Sequence, residues 1–199
     1  NIKTLSALLA SYGTIELLNR QELKSTSPAQ LKSEIKSILD DNKRIIASKK
    51  LTITKNIANN VKIGLSAELV GVLLRTNLEN AFEIADKNGR VDVKIIQTGS
   101  KVKLSIAGGG KALSRRMLHN LEVPLKNARK LDAVGAGLYL NQIIVESVGG
   151  KFAIASDSKT GTYVNIKLPK SNADVNNFKA NTELENPELA PFKGKAKLA

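Results

Sequence analysis

The sequence predicts a two-layer α/β sandwich, an α+β arrangement in which a mixed, mainly antiparallel sheet carries helices on one face. Three observations carry this expectation. Apolar residues recur every three to four positions in the first half of the chain, and mostly every second position in the second half. The strands of the second half come in hairpins, which makes neighbours antiparallel. Strands do not alternate with helices throughout, which argues against a doubly wound nucleotide-binding enzyme.

Taken in order, residues 1–24 read as a helix, with Leu5, Leu8, Leu9, Tyr12, Ile15 and Leu18 on one face. The polar stretch Ser25, Thr26, Ser27, Pro28 breaks it. A second helix spans residues 29–48 through Leu31, Ile35, Ile38, Leu39, Ile45 and Ile46, with Ser27 as N-cap and Pro28 at the first helical position. Residues 51–54, short and β-branched, read as a strand. Ser66 opens a long helix over residues 67–87, with Glu68 in its first turn and Asn88-Gly89 as its stop. Val91, Val93 and Ile95, then Val102, Leu104 and Ile106 after the turn at Thr98-Gly99-Ser100, form a hairpin with one buried face. A basic loop follows, then a helix over residues 138–148 ending at Gly149-Gly150. Two last strands, residues 151–156 and 163–168, flank the turn at residues 157–161. From Pro169 onward no period remains, which reads as a tail. The organisation is thus a helical segment at 1–27, a folded domain at 28–169 and a tail at 170–199.

The 199 residues carry 31 Lys and Arg against 18 Asp and Glu, a formal charge of +13, and 42% of them are hydrophobic. That is apolar enough to bury a core and long enough for one domain with appendages. The absence of cysteine excludes a disulfide framework, a zinc–thiolate site and a thiol nucleophile, and it fits a reducing compartment. No apolar run approaches the ~20 residues of a membrane helix. The chain starts at Asn1 rather than Met, so we expect a piece of a longer protein, with any membrane attachment outside it. Eight basic residues and one acid, Glu122, lie between Lys101 and Lys130, a local surplus of +7 bracketed by Gly108-Gly109-Gly110 and Gly135-Ala136-Gly137. Only 4% of residues are aromatic and none is interleaved with these charges, which argues against nucleic acid and for a bound phosphate chain.

Three segments line up in order: Asn77-Leu78-Glu79-Asn80-Ala81, Ile106-Ala107-Gly108-Gly109-Gly110, and Gly135-Ala136-Gly137-Leu138-Tyr139-Leu140. Together with Gly149-Gly150-Lys151-Phe152 and Gly161-Thr162-Tyr163-Val164, they resemble the ATP-binding catalytic domain of sensor histidine kinases. This is a branch of the superfamily that includes type II topoisomerases, MutL-type repair ATPases and ninety-kilodalton heat-shock chaperones, and its fold is the Bergerat fold. The resemblance covers roughly residues 29–169. It implies ATP and Mg²⁺ as cofactors, with the metal on Asn80 and the acidic catalytic position at Glu79. The nucleotide-binding set it implies comprises Asn77, Asn80, Gly108, Gly110, Gly135, Gly137, Leu138 and Thr162, with Arg115, Arg116 and Lys126 on a lid over the phosphates. Gly135 and Gly137 would let backbone N–H groups approach a triphosphate ahead of a helix starting near Leu138.

The resemblance further implies a response regulator as partner, a homodimer through the helical hairpin to which residues 1–24 belong, and a cytoplasmic location. The phosphate-accepting histidine of the family has no counterpart in that helix, and the one histidine, His119, sits in the lid. The pattern departs at four positions. Gly108 stands where the family has an adenine-binding aspartate, Ala112 replaces a glycine, Thr76 an asparagine and Glu83 a basic residue. Two functions therefore stand side by side: a kinase domain that passes the γ-phosphate to a histidine elsewhere, and a degenerate module that serves as a dimerisation or docking scaffold.

Overall fold

The computed structural model describes residues 25–110, 112, 133–157 and 161–170. The expected helix at 1–24, the basic lid with Arg115, Arg116, His119 and Lys126, and the tail beyond Lys170 lie outside the described residues. Capping chemistry starts the helices where the sequence places it. Ser27 Oγ accepts from the Gln30 N–H while the Gln30 side chain accepts from the Ser27 N–H, a closed capping box at the head of α1 (Pro28–Asp41). The expected single helix over 29–48 is two. Asn42 sends its Nδ2 back to the Ile38 carbonyl, 2.9 Å away, and takes a non-helical backbone (φ −101°, ψ 12°), so α2 (Lys43–Lys49) starts afresh.

β1 (Thr52–Ile57) follows, then α3 (Ala67–Ile84), whose N-cap Ser66 accepts from the Leu69 N–H. β2 (Arg90–Thr98) and β3 (Lys101–Gly108) form the first hairpin. After α4 (Ala133–Ser147) come β4 (Lys151–Asp157) and β5 (Gly161–Pro169). The five strands lie in the order β1-β2-β3-β5-β4, with β1 parallel to β2 and every other pair antiparallel. The parallel pair exists because α3 supplies the crossover that such a pair requires.

Strand alternation sorts the sheet into two faces. Register aligns Val93, Ile106, Val164 and Ile154 in one row across four strands, pointing at the helices. The opposite face carries Lys94, Lys103, Ser105, Asn165 and Lys167, where Ser105 Oγ donates to Asn165 Oδ1 at 2.7 Å. Against the apolar face pack Leu31, Ile35 and Ile38 of α1, Leu69, Leu73, Leu74, Leu78 and Phe82 of α3, and Leu138, Ile144 and Val145 of α4. Each such fully buried side chain contributes about 2 kcal/mol of apolar transfer.

α3 ends at Ile84, three residues before the expected Lys87, and the cause lies elsewhere in the chain. Lys49 Nζ donates to the carbonyls of Phe82, Glu83 and Ala85, capping the helix from α2. Ala85 then pairs with Gly110 as an isolated bridge, and the Asp86 N–H donates to the Gly109 carbonyl at 3.1 Å. A Cβ on Gly110 would collide with the Ile84 carbonyl oxygen, so only glycine allows this weld of helix to sheet.

Candidate functional site

A cavity lies between the sheet and two helices. Asn77, Asn80, Ala81 and Ile84 of α3 form one wall and Leu138 of α4 another. Ile106, Ile154, Thr162 and Val164 form the floor. The period-2 alternation of β3, β4 and β5 aims the floor residues at α3, and the i, i+3, i+4 spacing of Asn77, Asn80 and Ala81 puts these three on one helix face. The cavity measures about 20 Å³, room for one water-sized body, so an aromatic ring needs the walls to part.

Two of the residues lining this cavity carry a buried amide atom that has no partner among the described residues. Asn77 is 2% exposed; its Nδ2 donates to the Leu73 carbonyl at 2.7 Å, and its Oδ1 is buried and unpaired among the described residues. Asn80 Nδ2 is likewise buried and unpaired among the described residues. An unmet buried polar atom costs about 1–3 kcal/mol, which makes such atoms the places where a ligand gains most. Thr162 is satisfied, its Oγ1 lying 2.7 Å from Ser156 Oγ across the hairpin.

The other anticipated residues fall into different settings. Glu79 does not line the cavity. It pairs instead with Arg75 one turn back on α3, at 3.5 Å, and Arg75 in turn lies 2.9 Å from Asp41 and 4.0 Å from Glu34 of α1. Gly108 is buried in the same sheet row as Thr162, and a Cβ there would lie 3.1–3.2 Å from Ala81, so an aspartate would need α3 to give by a few tenths of an ångström. Gly108 and Gly110 thus sit at a close helix–sheet contact. The loop expected before Leu138 is instead helix, because α4 begins at Ala133 and includes Gly135 and Gly137. Gly137 has a packing reason to be glycine: a Cβ would sit 2.7 Å from Thr76 Cγ2 on α3. Gly135 lies among the first four N–H groups of the helix, which have no intrahelical acceptor.

Sequence reasoning missed Ala81, Ile84, Ile106, Ile154 and Val164 as cavity walls, although their periodicity already marked the strand residues as inward. It also missed Asn141, fully buried with neither amide atom paired among the described residues. The available signal was an asparagine inside the apolar run from Leu138 to Val145. Among the described residues no group of three His, Asp or Glu could hold a metal. A Mg²⁺ on the amide oxygen of Asn80 remains chemically suitable, because Mg²⁺ keeps waters and phosphate oxygens and needs few protein ligands. No described helix is long and apolar enough to cross a membrane.

Comparison with known proteins agrees with this outline. The family of histidine kinase-, DNA gyrase B- and HSP90-like ATPases matches residues 67–172, and the chain belongs to it. Sensor histidine kinase ZraS of Escherichia coli K12 is 31% identical over 101 residues, covering 51% of this chain and 21% of that protein. The methyl sulfide methyltransferase-associated sensor of Methanosarcina acetivorans is 23% identical over 152 residues, covering 73% of this chain and 15% of that protein. The chain therefore spans about a fifth or less of these relatives. The catalytic domain of histidine kinase ThkA superposes with a TM-score of 0.63 at 16% identity, over 77% of this chain and 99% of that one. ThkA in complex with the response regulator protein TrrA gives 0.63 at 16% identity, over 85% and 49%. These structures show that the fold is that of histidine kinase catalytic domains.

Proposed function

We propose that this chain is the ATP-binding catalytic part of a two-component sensor histidine kinase. It binds Mg-ATP at the α3–α4–sheet cavity and passes the γ-phosphate to a histidine outside the chain. The observation that carries this is the pair of buried amide atoms, Asn77 Oδ1 and Asn80 Nδ2, that have no partner among the described residues, on two residues lining an apolar cavity in a member of this ATPase family. Asn80 would hold the magnesium ion through its amide oxygen, and the ion supplies neutralisation of phosphate charge. The N–H groups at the start of α4 would meet phosphate oxygens, and Arg115, Arg116 and Lys126 would add positive charge from the basic segment. Leu138, Ile106, Ile154 and Val164 offer apolar walls to the base. A response regulator as partner and a homodimer through residues 1–24 belong to the same proposal, the former supported by the complex of ThkA with its regulator.

A second function, a scaffold without nucleotide, is favoured by Gly108, which brings no carboxylate to the cavity and packs closely on Ala81. Titration of the chain with a fluorescent ATP analogue in Mg²⁺ decides between them. The kinase function expects saturable binding that Asn80→Ala weakens at least tenfold. No binding at high micromolar analogue removes it and leaves the scaffold.

A further inference from the structure

Base recognition is the part of this site that the nucleotide function leaves open, and a base-selecting residue rests on that function being right. Six of the nine residues around the cavity are apolar, which suits the faces of a flat heterocycle. Specificity must then come from the few polar atoms on its edge. Among the described residues the sheet side offers no free side-chain atom: Gly108 has no side chain, and the Thr162 hydroxyl is engaged with Ser156. On the helix side, Asn77 Oδ1 is an acceptor, buried and unpaired among the described residues. Its identity as oxygen is fixed by the other half of the amide. Nδ2 donates to the Leu73 carbonyl one turn back, and a flipped amide would set oxygen against oxygen there. That bond also locks the side chain, so the acceptor is oriented before any ligand arrives.

We propose that Asn77 is the base-selecting residue, its Oδ1 accepting an N–H from the exocyclic amino group of a 6-aminopurine and disfavouring a 6-oxopurine nucleotide. The chemistry comes from complementarity. A buried acceptor is met by an amino group, whereas a carbonyl oxygen at the same ring position leaves two acceptors facing each other. Selection for adenine thus comes from the helix rather than from the strand end at Gly108.

The test is competition: displacement of the fluorescent ATP analogue from the 199-residue chain by ATP and by inosine triphosphate, both with Mg²⁺. We expect ATP to compete at ten- to hundredfold lower concentration than inosine triphosphate. Asn77→Leu should bring the two within about threefold, by weakening ATP and sparing inosine triphosphate. Thermal melting checks that the variant folds. Asn77→Thr, whose hydroxyl can still donate to the Leu73 carbonyl but projects no amide oxygen, serves where the leucine variant does not. Equal competition by both nucleotides in the unaltered chain, or a preference that survives both substitutions, overturns the assignment of Asn77 and leaves nucleotide binding standing. Absence of analogue binding overturns the nucleotide function itself, and Asn77 with it.

Discussion

Helix α3 carries polar side chains on two faces, and they meet opposite fates. On its outer face Arg75 and Glu79 join Asp41 and Glu34 of α1 in a half-exposed ion network, every group partnered. On its inner face, one to two residues away in sequence, Asn77 and Asn80 leave amide atoms buried and unmet among the described residues. The outer set is worth little to stability because water screens it; the inner set is costly to the empty protein and so is poised to repay a ligand. The difference teaches that the charges on this helix pair with one another on its α1 side, while the half-met neutral amides gather on the cavity wall.

The largest effect should come from breaking the joint on which both faces depend. Gly110→Ala drives a methyl into the Ile84 carbonyl at the end of α3 and should cost about 3 kcal/mol, read as a large fall in the thermal midpoint. Analogue binding should fall with it. A smaller and opposite change sharpens the comparison on the inner face. Asn80→Leu removes an unpaired buried N–H and should leave stability unchanged or raised by about 1 kcal/mol in urea unfolding, while analogue affinity drops at least tenfold. A loss of stability there would mean that the amide has a structural partner. The smallest effect belongs to the outer face. Arg75→Met should cost about 0.5 kcal/mol, less at high salt, and leave analogue affinity within about twofold.

Much of the fold was legible from local chemistry. Ser27 and Ser66 cap the helices they were expected to cap, and both hairpins fall where alternation and turn residues place them. The early end of α3 has a remote cause that overrides local preference, whereas at Asn42 the residue's own side chain breaks a helix that its apolar neighbours would continue. Lys49 and Gly110 stop α3 early, and α4 extends back over glycines that looked like loop. Of the site, Asn77, Asn80, Leu138 and Thr162 were named from the sequence and line one cavity; Glu79 was named and faces away.

The sequence by itself determined the element types, the inward faces of the strands, the caps and, through motif order, the family. These rest on short-range periodicity and on hydrogen bonds within a few residues. Only the tertiary structure decided which glycines are close contacts, that β1 runs parallel to β2, and which polar side chains of α3 go unpaired. Those properties depend on atoms from distant parts of the chain meeting across a helix–sheet interface. No local pattern encodes whether a buried amide will find a partner there.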